Sequence, residues 1–335
     1  MTSATSHAGA GDHPRLPARL ALPTDPDRWG LRVQLGERGV LHPGRWLWLR
    51  ALAWFVLVFF LTAAAFGLPL QAAADLLSPG DAAQQLVGVV VACTAALSCY
   101  ALAVRLGEGR TARELALRPA LQGLAVGATL GLAMMAVLMG VMVLTGLYDI
   151  ALVGAAPAWA GLGQAVQAAV TEELWMRALL FRLVWRAVGP VPAFAVAAVV
   201  FGALHLANPG ATALAAVTAT LAGLMFCALY ALTGRLWVPI GLHLAWNFAQ
   251  GYLFGAAVSG NDLGGSIAVS TANTAAQSWL TGGTFGPEAS VFALLLVSLV
   301  TMAALRLAGK TGRFAARPHA SPPPPASVEE VSPRH

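Results

Sequence analysis

Six residues of this chain combine reactive chemistry with an unexpected setting. Glu172, Glu173 and Arg177, then His205, then His243 and Asn247 lie inside or at the edge of long apolar runs. Glu172 and Glu173 are the carboxylates placed near the middle of such a run, and of seven histidines only His205 and His243 fall in hydrophobic segments. A charged side chain at bilayer depth costs about 2.5–3.5 kcal/mol on insertion scales, so its presence there points to function. Two carboxylates, two imidazoles, an amide and a guanidinium suit hydrolysis. A carboxylate can serve as general base, an imidazole can orient water or bind a metal, and an amide can donate to an oxyanion.

The elements that position these groups must themselves be membrane helices. Of 335 residues, 58% are hydrophobic and only 10% charged, against about 25% charged in a soluble domain. Mean hydropathy is +0.70. A span of about 30 Å of hydrocarbon takes about 20 apolar residues as helix. By that measure eight spans are expected, near 48–68, 85–105, 121–147, 158–186, 191–207, 211–232, 236–256 and 289–308. The fold class is therefore an all-α, polytopic membrane helix bundle.

The net charge of +5 argues for no nucleic-acid partner, because the basic residues collect in the ends and in alternate connections. Arg15, Arg19, Arg28, Arg32, Arg38 and Arg45 precede the first span. Arg105, Arg110, Arg113 and Arg118 mark the second connection, Arg182 and Arg186 the fourth, and Arg235 the sixth. Lys310, Arg313 and Arg317 follow the last span. The other connections carry Asp75, Asp81, Asp149, Asp262 and Glu288, without Lys or Arg. This alternation predicts eight spans with both termini cytoplasmic, in a bacterial cell membrane. Residues 1–44, rich in Gly and Pro and with no early apolar stretch of a signal peptide, read as a disordered N-terminal segment. Residues 45–310 read as the bundle, and the Pro-rich 311–335 as a disordered tail. Residues 259–288 form a long outer loop that either covers the site or is plain linker. Cys93, Cys99 and Cys227 show no paired spacing and read as small buried hydrophobes.

Helical spacing assigns local partners. Glu173 and Arg177 are four apart and share a face, whereas Glu172 points about 100° away. An ion pair between Glu173 and Arg177 is either a packing device or a support for chemistry, and Glu172 is left as the available carboxylate. Phe201 lies one turn before His205, which read alone is as consistent with a packing histidine as with a ligand. His243 and Asn247 also share a face, fit to bind a metal, to donate to an oxyanion or to hold helices together. Their spacing is not the His-Glu-x-x-His of soluble metalloproteases.

Glu-Glu-x-x-x-Arg, Phe-x-x-x-His and His-x-x-x-Asn in this order on separate apolar helices resemble the CPBP family of intramembrane proteases. That family, also called Abi, includes the CAAX prenyl endopeptidases and bacteriocin-processing or immunity proteins. The resemblance spans about residues 110–290. It implies a catalytic set of Glu172, His205, His243 and Asn247 with Glu173 and Arg177 in support, acting on a peptide or membrane-anchored protein in the bilayer. Two schemes fit. In one, Glu172, His205 and His243 hold Zn²⁺, which activates water; in the other, Glu172 and His205 activate it unaided. Two other functions use the same residues: a non-catalytic immunity or adaptor protein that binds through the polar cavity, and a proton-coupled transporter. The transporter reading lacks the internal repeat that many transporter folds show.

Overall fold

The computed structural model describes residues 31–78, 81–154 and 157–314. Among the described residues six helices are long and apolar enough to cross a membrane: α1 (Leu47–Leu76), α2 (Ala82–Gly107), α3 (Ala120–Leu144), α6 (Pro190–Leu204, extended by a 3₁₀ turn to Ala207), α7 (Ala213–Thr233) and α10 (Val291–Lys310). The other two expected spans are the motif helices. One run comprises α4 (Trp159–Glu173), π-helical turns over Leu174–Phe181 and α5 (Arg182–Val188). The other is α8 (Trp237–Phe248), which passes into a π-turn at Ala249–Leu253. The result is a polytopic helical bundle.

Local chemistry sets the breaks. Asp81, Thr212 and Ser290 cap α2, α7 and α10, each accepting from backbone N–H groups of the first turn, which satisfies donors the helix leaves orphaned. Gly189, at φ +100°, turns the chain between α5 and α6, and Pro190 follows in a position where its missing N–H costs nothing. Gly234 ends α7 in the left-handed conformation.

One glycine series fixes the motif helix α8. Gly123, Gly127 and Gly131 of α3 recur every four residues, and a Cβ on them would lie 2.7 Å from Trp237 Cβ, 2.1 Å from the Val238 carbonyl and 2.5 Å from the Leu242 carbonyl. From the other side, a Cβ on Gly241 would meet the Leu124 carbonyl at 2.4 Å. Backbones this close are the packing mode of small-xxx-small helix pairs in membranes.

All the arginine-bearing connections gather at one end of the bundle. Arg182 reaches the Leu35 carbonyl at 3.4 Å, Arg186 the Leu41 carbonyl at 2.8 Å, and Trp237 Nε1 donates to the Ala116 carbonyl at 2.8 Å. Arg235 donates to the Arg113 carbonyl, and Phe314 packs edge-on to Phe194. Part of the segment expected to be disordered is thus packed here: Val33 and Leu41 are buried and Gly39–Leu41 form a 3₁₀ turn. Burial of these apolar side chains, with the carbonyl contacts to Arg182 and Arg186, overrides the Gly- and Arg-rich local composition. Residues 1–30 and 315–335 lie outside the described residues. Arg182 also departs from its reading as a loop charge, being fully buried on Glu108.

At the opposite end, β1 (Tyr148–Leu152) pairs antiparallel with β2 (Ala268–Ala272), Tyr148 opposite Ala272 and Leu152 opposite Ala268. This short ribbon is the one addition to the all-α expectation among the described residues. A one-turn helix, α9 (Ser278–Thr281), and a 3₁₀ turn at Pro287–Ala289 complete the segment at this end. Tyr148 donates to the Thr281 carbonyl at 3.0 Å, and Gly260 donates to the Phe285 carbonyl at 2.8 Å. Residues 259–288 therefore form a folded cover.

Candidate active site

The site is assembled from four elements of the bundle. The run from α4 supplies Glu172, Glu173 and Arg177. The end of α6 supplies Phe201 and His205, α8 supplies His243 and Asn247, and α7 supplies Phe226. Both α4 and α8 leave α-helical geometry beside their functional residues, at Leu174 and at Ala249. Single π-turns inside helices are frequent at functional sites.

Glu173 is fully buried and engaged on both sides. Its Oε1 lies 2.9 Å from His243 Nδ1, and its Oε2 lies 3.1 Å from Arg177 Nε. The second contact is close enough to attract, yet lacks the alignment of a hydrogen bond. Arg177, also fully buried, is sandwiched between rings, its Cζ 4.5 Å from the Phe201 centroid and 4.8 Å from that of Phe226. Cation–π contacts of this kind take the place of missing donors and acceptors in a dry interior. The close approach of α6 to α7 here needs Gly223, where a Cβ would lie 2.9 Å from Phe201 Cβ. The same Gly223 offers its carbonyl to Arg177 Nη2 at 3.4 Å.

Glu172 differs from its neighbour. Its side chain is 36% exposed against 0% for Glu173, and its Oε2 stands 3.9 Å from His243 Nε2. That gap is too long for a direct hydrogen bond but suits one water at ordinary distance from both atoms. The His243 ring stacks on Phe226 with centroids 5.0 Å apart. Fixed by Phe226 and by Glu173 on Nδ1, the ring holds Nε2 toward Glu172. His205 packs on Phe201 with centroids 4.6 Å apart and places Nδ1 2.8 Å from the Phe201 carbonyl. A carbonyl only accepts, so Nδ1 carries the hydrogen and Nε2 stays free.

His205, His243 and Asn247 line one cavity of about 60 Å³ together with Phe201, Phe226 and Trp246, room for a few waters. His205 and His243 line this cavity together although they lie at different heights along their helices, and Phe201, one turn before His205, meets the His243 ring edge-on with centroids 6.4 Å apart. Glu172, Glu173 and Arg177 are not among the cavity's lining residues and join this neighbourhood through His243, which stands 2.9 Å from Glu173 and 3.9 Å from Glu172. Sequence reasoning did not single out Glu288, Ser259 and Trp246, which also line the cavity. Glu288 looked like an ordinary loop charge, and its position after a Gly-Pro turn at the foot of the last span was the one signal available.

A Zn²⁺ site made by Glu172, His205 and His243 does not follow from these positions. Among the described residues no group of three or more His, Cys, Asp or Glu side chains is placed to hold a metal ion. Each of the two imidazoles has Nδ1 engaged and keeps Nε2 available.

Residues 154–249 match the family described as type II CAAX prenyl endopeptidase, Rce1-like. The match runs from the start of the α4 run to the end of α8 and so includes Glu172, Glu173, Arg177, His205, His243 and Asn247. It is narrower than the 110–290 of the motif resemblance and leaves out Glu288 and most of the cover. No curated protein and no solved structure matches the chain. Over these helices the resemblance to the CPBP family of membrane proteases holds.

Proposed function

We propose that this protein is an intramembrane endopeptidase that hydrolyses a peptide bond of a peptide or membrane-anchored protein, with Glu172 as the base. One observation carries the reading: of two adjacent carboxylates, Glu173 is occupied by Arg177 and His243, while Glu172 faces His243 Nε2 across a water-sized gap. In the reaction, Glu172 takes a proton from water held against His243, and the hydroxide attacks the scissile carbonyl carbon. The amide N–H of Asn247 donates to the oxygen of the tetrahedral intermediate, a role worth about 10²–10³ in rate. His205 Nε2 accepts from the attacking water or from the substrate. The C–N bond then breaks as Glu172 returns its proton to the leaving amine. Glu173 orients His243, and Arg177 holds Glu173.

The test uses detergent-purified full-length protein and a fluorogenic peptide library. Glu172→Gln keeps size and hydrogen bonding and is expected to lower kcat/KM by a factor of about 10²–10⁴ at unchanged yield. Near wild-type cleavage by that variant would remove Glu172 from the role of base, and absence of cleavage by the wild-type protein would hand the site to a binding protein instead. A parallel series with chelator examines the Zn²⁺ scheme: unchanged rates leave the unaided scheme, and lost activity reinstates the metal.

The arginine-bearing end faces the cytoplasm in this proposal, with both termini, since Lys and Arg stay on that side. The cavity and its cover then face the opposite side. A membrane-impermeant thiol reagent should label Thr284→Cys in intact cells and Arg118→Cys only after permeabilisation. The reverse pattern would invert the topology.

A further inference from the structure

Glu288 has no part in the hydrolysis just described, yet it lines the same cavity as His205, His243 and Asn247. Its carboxylate is aimed rather than loose. Oε2 accepts from Trp246 Nε1 at 3.1 Å, and Oε1 accepts from the Ser259 backbone N–H at 2.5 Å and from Ser259 Oγ at 2.8 Å. Trp246 belongs to α8, between His243 and Asn247, so the contact ties Glu288 directly to the motif helix.

These bonds orient the carboxylate without neutralising it. Glu108, Glu114 and Glu173 each have a guanidinium within 3.1 Å, whereas Glu288 has no cation within salt-bridge distance among the described residues. It keeps one acceptor site on Oε2, because each carboxylate oxygen takes two hydrogen bonds. The cavity wall is otherwise made of apolar side chains and of neutral or basic groups, among them His205, His243 and Asn247, so Glu288 is its one carboxylate among the described residues. A carboxylate without a cationic partner in such a pocket selects for opposite charge.

We propose that Glu288 is a specificity-determining residue: its carboxylate, aimed by Trp246 and Ser259, forms a subsite that accepts a positively charged substrate group, an alkylammonium or guanidinium, beside the scissile bond. The proposal rests on the endopeptidase reading for its location but not for its binding chemistry, and the two fail separately. Peptides are prepared in matched sets with Lys, norleucine or Glu at each scanned position, with free or acetylated N-termini. Cleavage is measured with the wild-type protein and with Glu288→Gln and Glu288→Lys, and binding by fluorescence anisotropy with the same proteins.

At one position Lys is expected to exceed norleucine in kcat/KM by about tenfold, the scale of a hydrogen bond to a charged group. If the cation is instead the substrate's own N-terminus, acetylation removes the preference and Lys does not restore it. Glu288→Gln should bring the ratio to about one, and Glu288→Lys should turn it toward the Glu peptide. A purely structural strut behaves otherwise, lowering both peptides by the same factor and leaving the ratio intact. That result, or cleavage with no Lys or N-terminal preference at any position, overturns the proposal. If nothing is cleaved but binding still favours the cationic peptide through Glu288, the endopeptidase reading fails and the subsite stands. Binding without charge preference in that case overturns both.

Discussion

Two buried carboxylate–guanidinium clusters share one helical run, and they are built on opposite plans. At the arginine-bearing end, two carboxylates (Glu108, Glu114) meet two guanidiniums (Arg110, Arg182). Arg182 donates to both oxygens of Glu108 at 2.7 and 2.9 Å, and Arg110 to both oxygens of Glu114 at 2.9 Å. Arg110 Nε also reaches Glu108 at 2.7 Å, Trp54 Nε1 donates to it at 3.0 Å, and the Tyr100 hydroxyl donates to Glu114 at 2.5 Å. At the candidate active site there are two adjacent carboxylates but one guanidinium: Arg177 pairs with Glu173, and Glu172 has only His243, at 3.9 Å. Glu173 Oε2, Arg177 Nε and Arg177 Nη1 all lack hydrogen bonds. A balanced, fully bonded network fixes architecture, and here it ties α2, α5 and the loop between α2 and α3 together. A site that must take in water and substrate keeps a charge and several polar atoms unspent, which is costly unless binding uses them.

The largest stability effect is therefore expected at the satisfied cluster. Arg182→Met strips Glu108 of its bidentate partner in a fully buried setting, and breaking such a pair from one side costs about 3–5 kcal/mol. The double variant Glu108→Gln/Arg182→Met removes both charges and should recover part of the loss. Arg177→Met should cost less, about 1–3 kcal/mol, because Arg177 meets Glu173 without an aligned hydrogen bond, Glu173 keeps its contact with His243, and the thioether replacement still packs between Phe201 and Phe226. Thermal unfolding in detergent ranks the variants. If Arg177→Met proves the more damaging, the division between an architectural and a functional cluster breaks down.

The candidate site was far more legible in the sequence than the cluster that supports the fold. Glu172, Glu173 and Arg177 announce themselves because charge inside an apolar run is rare, and the i,i+4 rule supplies the Glu173–Arg177 pair. His243 and Asn247 follow by the same spacing. Glu108 and Arg182 stand 74 residues apart in segments where charge is ordinary, so only the tertiary fold reveals the pair. The π-turns at Leu174 and Ala249 likewise have no local signature, since they arise where packing asks the helix to shift its register. The glycine series of α3 was visible as a four-residue repeat, but its meaning depended on finding α8 opposite it. Glu288 stayed hidden because a loop charge says nothing until the loop is folded over a cavity.

The mildest test of the comparison is acid. Burial pushes the carboxyls of Glu108 and Glu114 up, but the guanidiniums of Arg182 and Arg110 outweigh it and hold both below the usual carboxylate range. A carboxylate whose folded pKa is depressed lends stability that is fully present above its unfolded pKa, about 4.3 for Glu. That stability is lost as pH falls through the folded value, because the unfolded chain binds the proton first. The expected loss is at most about 1.4 kcal/mol per pH unit for each of the two groups. Tm measured in detergent should thus be insensitive to these groups near neutrality and decline below about pH 4. Glu108→Gln/Arg182→Met removes one titrating group and the cation that depresses it, so its acid decline should be shallower than that of the wild-type protein. Identical acid slopes for the two would mean that the ion network at the arginine-bearing end contributes no charge-dependent stability, and that its role lies in packing alone.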